Sequence, residues 1–181
     1  MTAVAMLCLV GCKTTGSTRM PVTEDSLIAE LDSPDEDVVA AAMQKLEKQY
    51  PTSTKAFPKM KELLKDDRVK VRRKAARVLG VLHAEVNEEN IDDICALLEG
   101  STPQEIIDGL KSLRGLEAPS AVSRILPLLS HEHPNVVRDS LRTLAVLGEP
   151  DLIPTIEPLL ENPNPAIRSD AQDAIYKLRQ K

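Results

Sequence analysis

Residues 66–80 read DDRVKVRRKAARVLG, and this segment carries a pattern that recurs through the chain. Its apolar residues Val71, Ala75 and Val78 stand at offsets 0, +4 and +7, which places their side chains on one face of an α-helix. Charged residues occupy most positions between them, so the opposite face is polar. The pattern predicts an amphipathic helix with one buried stripe.

An apolar triplet with these offsets occurs five times, and successive triplets begin 32, 35, 31 and 30 residues apart. Repeats of this length are typical of α-solenoids, in which helical hairpins stack in a row and bury a shared core. The sequence therefore predicts an all-α, right-handed α-solenoid of about five hairpins with every triplet position buried. The triplets are Val39/Met43/Leu46, Val71/Ala75/Val78, Ile106/Leu110/Leu113, Val137/Leu141/Leu144 and Ile167/Ala171/Ala174.

Each triplet helix follows a segment that usually ends in Leu-Leu, and we expect the two segments to form one hairpin. The predicted hairpins span residues 23–48, 54–82, 87–115, 118–148 and 150–179. Ser33-Pro34-Asp35-Glu36 and Thr102-Pro103-Gln104-Glu105 have the pattern of capping boxes with proline at the first helical position. Pro127 and Pro158 lie inside first helices, where they predict a kink.

Residues 66–80 resemble the HEAT repeat, including the bacterial HEAT-like subgroup related to phycobilisome lyases. The turn and the Val/Ile-Arg signature recur at Pro134-Asn135-Val136-Val137-Arg138 and Asn164-Pro165-Ala166-Ile167-Arg168. The resemblance implies HEAT-like hairpins and a structural role for Arg72, Arg138 and Arg168, which match the arginine of the family. Ala40 and Ile107 replace it in hairpins one and three, so we expect any ladder of acid and arginine pairs to be broken there.

The N-terminal residues carry a second pattern. An apolar run from Ala3 ends in Leu9-Val10-Gly11-Cys12, and a stretch rich in Ser, Thr and Gly follows. This arrangement resembles the lipobox of bacterial lipoproteins, in which the cysteine is acylated and becomes the first residue. The resemblance implies a signal segment at 1–11, a tether at 12–22, a HEAT-like repeat domain at 23–181 and lipidation of Cys12.

The lipobox resemblance also implies a location in the bacterial cell envelope. By the sorting pattern of that family, the basic residue after Cys12 indicates the outer membrane, on its periplasmic side, in a cell with two membranes. The alternative is a cytoplasmic protein with a short apolar tail.

The composition argues against several functions. With a net charge of −5 and only 2% aromatic residues, neither a basic nucleic-acid-binding face nor a ring-lined cofactor pocket is indicated. Cys95 falls in an apolar helical run, which predicts a buried and inert thiol. No catalytic residue, metal site or cofactor is predicted.

Two polar clusters invite a chemical interpretation but also have a structural one. Six basic residues between Arg68 and Arg77 suit an acidic or phosphorylated partner. Alternatively, five acids of the next hairpin neutralise them, namely Glu85, Glu88, Glu89, Asp92 and Asp93. His131-Glu132-His133 has the residue types of metal ligands, but one such pair cannot complete a site, so we predict a surface turn.

The glycines Gly80, Gly115 and Gly148 stand near predicted helix ends rather than in a phosphate-binding loop. Glycine is favoured there for its left-handed conformation, which we expect at all three positions.

The side of each second helix opposite the core stripe is expected to line a concave face. Offsets +2, +5 and +6 give Arg73, Arg77, Asp108, Lys111, Asp139, Arg142, Gln172 and Asp173. Their mixed charge and the lack of aromatic residues favour a polar protein or peptide partner. The candidate binding residues are Arg73, Arg77, Lys111 and Arg142.

We therefore predict a monomeric, non-enzymatic scaffold that docks a protein or peptide partner, with membrane attachment through Cys12 and no nucleic-acid binding. The alternatives are a HEAT-like lyase or other modifying enzyme, or its accessory subunit, and a cytosolic HEAT scaffold. We expect the helix from Pro165 to Leu178 to close the stack. Its predicted outward-facing residues are Ser169, Asp170, Gln172, Asp173 and Lys177.

Overall fold

A computed structural model describes residues 22–181, which form helices and turns with no strand among them. The α-helices are α1 (Glu24–Glu30), α2 (Glu36–Gln49), α3 (Phe57–Glu62), α4 (Val69–Val81), α5 (Glu88–Cys95), α6 (Pro103–Gly115), α7 (Val122–Ile125), α8 (Pro134–Leu147), α9 (Ile153–Ile156) and α10 (Pro165–Leu178). They pair in chain order into five hairpins, as predicted. The predicted signal segment, most of the tether and Cys12 lie outside the described residues.

The hairpins stack in two layers. The second helices, α2, α4, α6, α8 and α10, pack directly against one another in sequence order. The first helices pack mainly against the second helix of their own hairpin. Because the second helices are the more closely packed, they form the inner, concave side of the stack, and the first helices form the outer side. The predicted all-α solenoid is confirmed.

The predicted core stripe is confirmed at every position. All fifteen triplet residues are buried, with at most 4% of any of them exposed. The first helices complete the core with residues such as Leu64, Leu98 and Leu129. Full burial of a Val, Leu or Ile side chain stabilises a fold by about 1.5–3 kcal/mol, so both the stripe and the apolar residues of the first helices contribute to stability.

The first helices tighten into 3-10 helix before they end, whether or not they contain proline. Pro127 lies in the 3-10 segment Leu126–Ser130, and Pro158 lies in Glu157–Glu161. The same change occurs without proline at Leu63–Lys65 and Ala96–Glu99. The prolines therefore occupy a bend that all four hairpins share, and they are not its cause.

The turn before four of the five second helices is held by a side chain two residues before the N-cap. Ser33 Oγ accepts a hydrogen bond from the backbone N–H of Asp35, and Asp66, His131 and Asn162 do the same for the N-cap residues of α4, α8 and α10. Asp35, not Ser33, is thus the N-cap of α2. The first predicted capping box is therefore wrong. Of the second, only one half forms: Thr102 accepts the N–H of Glu105, but the Glu105 side chain does not return a bond to the N–H of Thr102.

Glycines near the helix ends serve close packing, not left-handed backbone. No described glycine has a positive φ, which contradicts the prediction. A Cβ on Gly80 would stand 2.8 Å from the Cα of Ser112, and one on Gly115 would clash with the carbonyl oxygen of Gly80. The left-handed positions after α4 and α6 are instead taken by His83 (φ 47) and Glu117 (φ 51).

The terminal helix α10 closes the described stack, with one correction to its polar face. Ser169, Gln172, Asp173 and Lys177 are exposed as predicted, but Asp170 is only 9% exposed and faces α8. Of the described helices, none has both the length and the apolar character needed to cross a membrane.

Candidate functional site

The predicted concave row divides into exposed and inward-facing residues. Lys111, Arg142, Gln172 and Asp173 are exposed, whereas Arg73, Arg77 and Asp108 are half-buried. Asp139 is buried at 8% exposure, which contradicts its placement on the open face. Its carboxylate lies 3.9 Å from Arg114 of the preceding second helix, and this contact draws it inward.

Arginine and acid pairs join every pair of successive second helices. The pairs are Arg77 with Glu47 (2.5 Å), Arg73 with Asp108 (2.6 Å), Arg114 with Asp139 (3.9 Å), and Arg138 (2.7 Å) and Arg142 (3.1 Å) with Asp170. The predicted break at hairpins one and three is therefore wrong. Those hairpins lack the arginine of the family at Ala40 and Ile107, but Glu47 and Arg114, at a different offset, make the contact instead.

Two of the three family arginines bind backbone. Arg72 Nη1 donates to the carbonyl oxygens of Asp66 (2.7 Å) and Asp67 (2.9 Å) in the turn before α4. Arg168 Nη1 makes the equivalent bonds to Asn162 (2.8 Å) and Pro163 (3.1 Å). Both contacts hold a turn within one hairpin, which agrees with the structural role that the resemblance implies.

The basic cluster between Arg68 and Arg77 is largely neutralised, but not by the predicted acids. Its partners are Asp66 for Arg68, Glu36 and Asp37 for Lys70, Glu105 for Arg72, Asp108 for Arg73 and Glu47 for Arg77. Of the five acids proposed from the sequence, Glu89 and Asp93 pair with Lys65, and Asp92 pairs with Arg124. The α4 cluster turns toward the inner layer, whereas these acids belong to an outer helix.

Lys74 is the one cation of this cluster that forms no ion pair with a described residue. Across residues 22–181 it has no acidic oxygen within 4 Å, and it is only partly exposed. Burial is the main cause that lowers its pKa, and the nearby Arg77 adds to the effect. The charge of Lys74 is therefore poorly solvated and poorly compensated.

Lys74 lies in a groove between α2 and α4 with a volume of about 540 Å³. The α2 wall consists of Asp37, Ala40, Ala41 and Gln44, and the α4 wall of Lys70, Arg73, Lys74 and Arg77, with Asp108 at one end. The structure thus brings together two of the four candidate binding residues, Arg73 and Arg77. Their guanidinium groups are already paired with Asp108 and Glu47.

A second groove of about 440 Å³ lies between α8 and α10 and contains Arg142. Its other lining residues are Arg114, Ala145, Val146, Asp170, Asp173, Ala174 and Lys177. Lys111 is exposed on α6, between the two grooves along the inner layer. The four candidate residues therefore share one face, but they do not converge on one point.

Sequence reasoning counted Lys74 in the basic cluster but did not single it out, because its offset in the repeat, +3, was assigned to neither the core nor the open face. The other second helices carry Ala42, Gly109, Ser140 and Asp170 at this offset. Alignment of the five helices would have shown that α4 alone has a cation there.

The histidines of the α7–α8 turn act as caps. His131 Nδ1 accepts the N–H of His133 (3.0 Å), and His133 Nδ1 accepts the N–H of Asn135 (3.3 Å). Within the described part of the chain, no cluster of three or more His, Cys, Asp or Glu residues could hold a metal ion. Cys95 is buried, and burial raises the pKa of its thiol to about 11, as expected for an inert cysteine.

Solved structures with a similar fold include natural and designed repeat proteins. A chain in the structure of the complex of CpcE and CpcF of phycocyanin lyase from Nostoc sp. PCC7120 is 24% identical, with a TM-score of 0.74 over 93% of this chain and 70% of that chain. A designed armadillo repeat protein in complex with the peptide (KR)4 is 18% identical, with a TM-score of 0.63 over 84% and 80%. An engineered protein reaches 18% identity and a TM-score of 0.67 over 87% and 79%. These likenesses show the fold.

No curated protein matches the chain in sequence. A family model described as HEAT repeats matches residues 91–176, from α5 to α10. Hairpins one and two lie outside this match but repeat the same two-helix unit and the same buried stripe. The chain is therefore an α-solenoid of five two-helix hairpins, of which the last three carry the match to the HEAT repeat family.

Proposed function

We propose that the chain is a monomeric, non-enzymatic scaffold that binds a protein or peptide along the concave face of its second helices. The observation that carries this proposal is the α2/α4 groove, where Lys74 is the cation of the basic cluster that has no acidic partner among residues 22–181. Solenoids present such extended inner surfaces to partners. The designed armadillo repeat protein of similar fold holds a peptide, which supports this use of the architecture.

The proposed interface is polar. Arg73, Arg77, Lys111 and Arg142 are its candidate binding residues, and tryptophan, a common anchor of tight interfaces, is absent from the chain. Interfaces without large aromatic anchors bind with modest affinity, so we expect a partner that exchanges readily.

Photo-crosslinking in the native cell tests the proposed face. A crosslinking residue at Lys111, on the inner layer, should capture one discrete partner, and the same residue at Lys61, on the outer helix α3, should not. Crosslinks that form from Lys61 and not from Lys111 would place the interface on the outer layer and contradict the proposal.

A second candidate is an accessory subunit of a modifying enzyme, as the likeness to a chain of the CpcE and CpcF complex suggests. In that case the captured protein is the other subunit, and activity belongs to the pair. Assay of the chain alone and of the purified pair separates this candidate from a simple scaffold.

We also propose that Cys12 is lipidated and attaches the protein to the cell envelope, with a cytosolic scaffold as the alternative. The support is the Leu9-Val10-Gly11-Cys12 sequence and the polar stretch after it. Residues 13–22 span at most about 35 Å when fully extended, so the solenoid would lie close to the bilayer. Two or more acyl chains give stable attachment, whereas a single chain does not.

Membrane fractionation from the native locus tests the anchor. We expect the wild-type protein to be found in membranes and to incorporate labelled fatty acid, and Cys12→Ser to lose the label. Cys95→Ser is the matched control and should behave as wild type. Soluble, unlabelled wild-type protein that retains Met1 would contradict the anchor and leave a cytosolic scaffold.

A further inference from the structure

The α8/α10 junction shows how the inner layer holds a carboxylate. Asp170, at offset +3 of α10, accepts hydrogen bonds from Arg138 Nε (2.7 Å) and Arg142 Nε (3.1 Å) of α8. These arginines stand at offsets +1 and +5 of the preceding second helix. One acid on the later helix is therefore clamped by two cations on the earlier one, and both cations have an acidic partner.

At the α2/α4 junction the same three offsets carry residues of different charge. Offset +3 of α4 is Lys74, and offsets +1 and +5 of α2 are Ala40 and Gln44. All three line the α2/α4 groove. The small alanine leaves the groove open, and the neutral Gln44 supplies no charge to pair with the ammonium group. The carboxylates of this junction, Asp37 and Glu47, already pair with Lys70 and Arg77. Lys74 and the Gln44 amide remain without an acidic partner among the described residues.

We propose that a glutamate or aspartate side chain of an acidic segment in a partner protein occupies the α2/α4 groove and pairs with Lys74. The inference rests on the protein-binding function proposed above and assigns the chemistry of the bound segment. The incoming carboxylate lies between the Lys74 ammonium group and the Gln44 amide. Asp37 and Asp108 also line the groove, and their negative charge disfavours a second acidic side chain there.

The charge count of the groove favours a carboxylate over a phosphate. Arg73, Arg77 and Lys70 already have acidic partners, so one unpaired cation remains, which matches a single negative charge. A phosphate or nucleic-acid backbone needs several free cations, and acids surround the ones present here. A carboxylate in the groove also raises the lowered pKa of Lys74 back toward its ordinary value, because it stabilises the protonated form.

Fluorescence anisotropy with a fluorescein-labelled oligoglutamate peptide and the full chain tests the site. We expect saturable binding that weakens as ionic strength rises, and a loss of affinity of about tenfold in Lys74→Ala, as for removal of one charge-assisted hydrogen bond. Lys74→Arg should retain binding because it keeps the charge. Lys61→Ala is the matched control, since Lys61 is also half-buried, belongs to the same hairpin and lies on the outer helix.

Three outcomes would overturn the inference. In the first, Lys74→Ala and Lys61→Ala bind the oligoglutamate peptide with equal affinity. In the second, an oligoglutamine peptide binds as tightly as the oligoglutamate peptide. In the third, inorganic phosphate at matched charge displaces the oligoglutamate peptide. If Lys111→Ala or Arg142→Ala lost binding while Lys74→Ala kept it, this groove would be excluded but the proposed function would stand. Failure of the Lys111 crosslink, in contrast, would count against the proposed function itself.

Discussion

The α2/α4 and α8/α10 junctions have the same packing but opposite electrostatics. In both, residues at offsets 0, +4 and +7 are buried, so the helices approach each other in the same way. At offset +3 one junction has Asp170 clamped by two arginines, whereas the other has Lys74 beside Ala40 and Gln44. The comparison shows that the stripe sets the fold. The offsets between its members decide whether the cations of a junction are paired internally or, as at the open α2/α4 junction, one of them is left for a partner.

The largest expected effect tests the shared packing. Met43 and Leu141 both stand at offset +4 and are fully buried. Met43→Asp and Leu141→Asp should each lower the free energy of unfolding by about 5 kcal/mol, because an unpaired charge replaces a buried apolar side chain. Urea unfolding followed by circular dichroism measures both losses.

The matched control for these variants is Gln172→Asp, at an exposed position of the inner layer. It should change the free energy of unfolding by less than about 0.5 kcal/mol. If Met43→Asp were as mild as Gln172→Asp, the first two hairpins would not share the packing of the last two, and the comparison would fail.

The second prediction removes the acid that closes the α8/α10 junction. Asp170→Ala leaves Arg138 and Arg142 facing each other without a counter-charge. Because both arginines are partly exposed, solvent screens their repulsion, and we expect a loss of about 2 kcal/mol. Asp173→Ala, an exposed neighbour without an ion pair in the described chain, should have little effect in the same urea titration.

The period, the hairpins and all fifteen buried positions could be predicted from the sequence, because burial follows from helical geometry and residue type alone. The electrostatic partners could not. Arg77 was predicted to face a binding partner, yet it pairs with Glu47 of the preceding hairpin. The pairing depends on which residues of two different helices are adjacent, and this register is not visible in either helix by itself.

The same limit explains the two errors on α8 and α10. Asp139 and Asp170 have the polarity of surface residues, and a single-helix pattern places both on an open face. In the structure both are buried against arginines of the preceding second helix, Arg114 and Arg138. The prediction of left-handed backbone at the glycines failed for the same reason. Gly80 is needed because α4 and α6 approach each other closely at Ser112, and this contact between two helices is not visible in the sequence of one helix end.

The third prediction concerns offset +3 in α8. Ser140 is fully buried, and its hydroxyl has no hydrogen-bond partner among the described residues. Ser140→Ala removes this unsatisfied group, so we expect the free energy of unfolding to rise by about 1 kcal/mol. Ser112 is the control, because its buried hydroxyl donates to the carbonyl oxygen of Asp108 (2.7 Å). If Ser112→Ala raised the free energy of unfolding as much as Ser140→Ala, the hydrogen bond of the Ser112 hydroxyl would not account for the difference between the two serines.

The smallest expected effect is the most informative about the open junction. Lys74→Ala gives α4 the residue that α2 has at offset +3, Ala42, and removes a charge whose pKa is lowered mainly by burial. We expect the free energy of unfolding to rise by about 0.5 kcal/mol at neutral pH, since solvent screens most of the unfavourable interaction.

The pH dependence of this gain follows from the direction of the pKa shift. A lysine whose pKa is lower in the folded state destabilises the fold while it is protonated in both states, and this penalty disappears as pH rises through the folded pKa toward the ordinary lysine pKa of 10.5. The advantage of Lys74→Ala over wild type should therefore be largest near neutral pH and shrink in alkaline solution. A Lys74→Ala variant less stable than wild type would mean that the aliphatic part of Lys74 contributes packing that outweighs its charge, and that the open junction is built for stability and not for a partner.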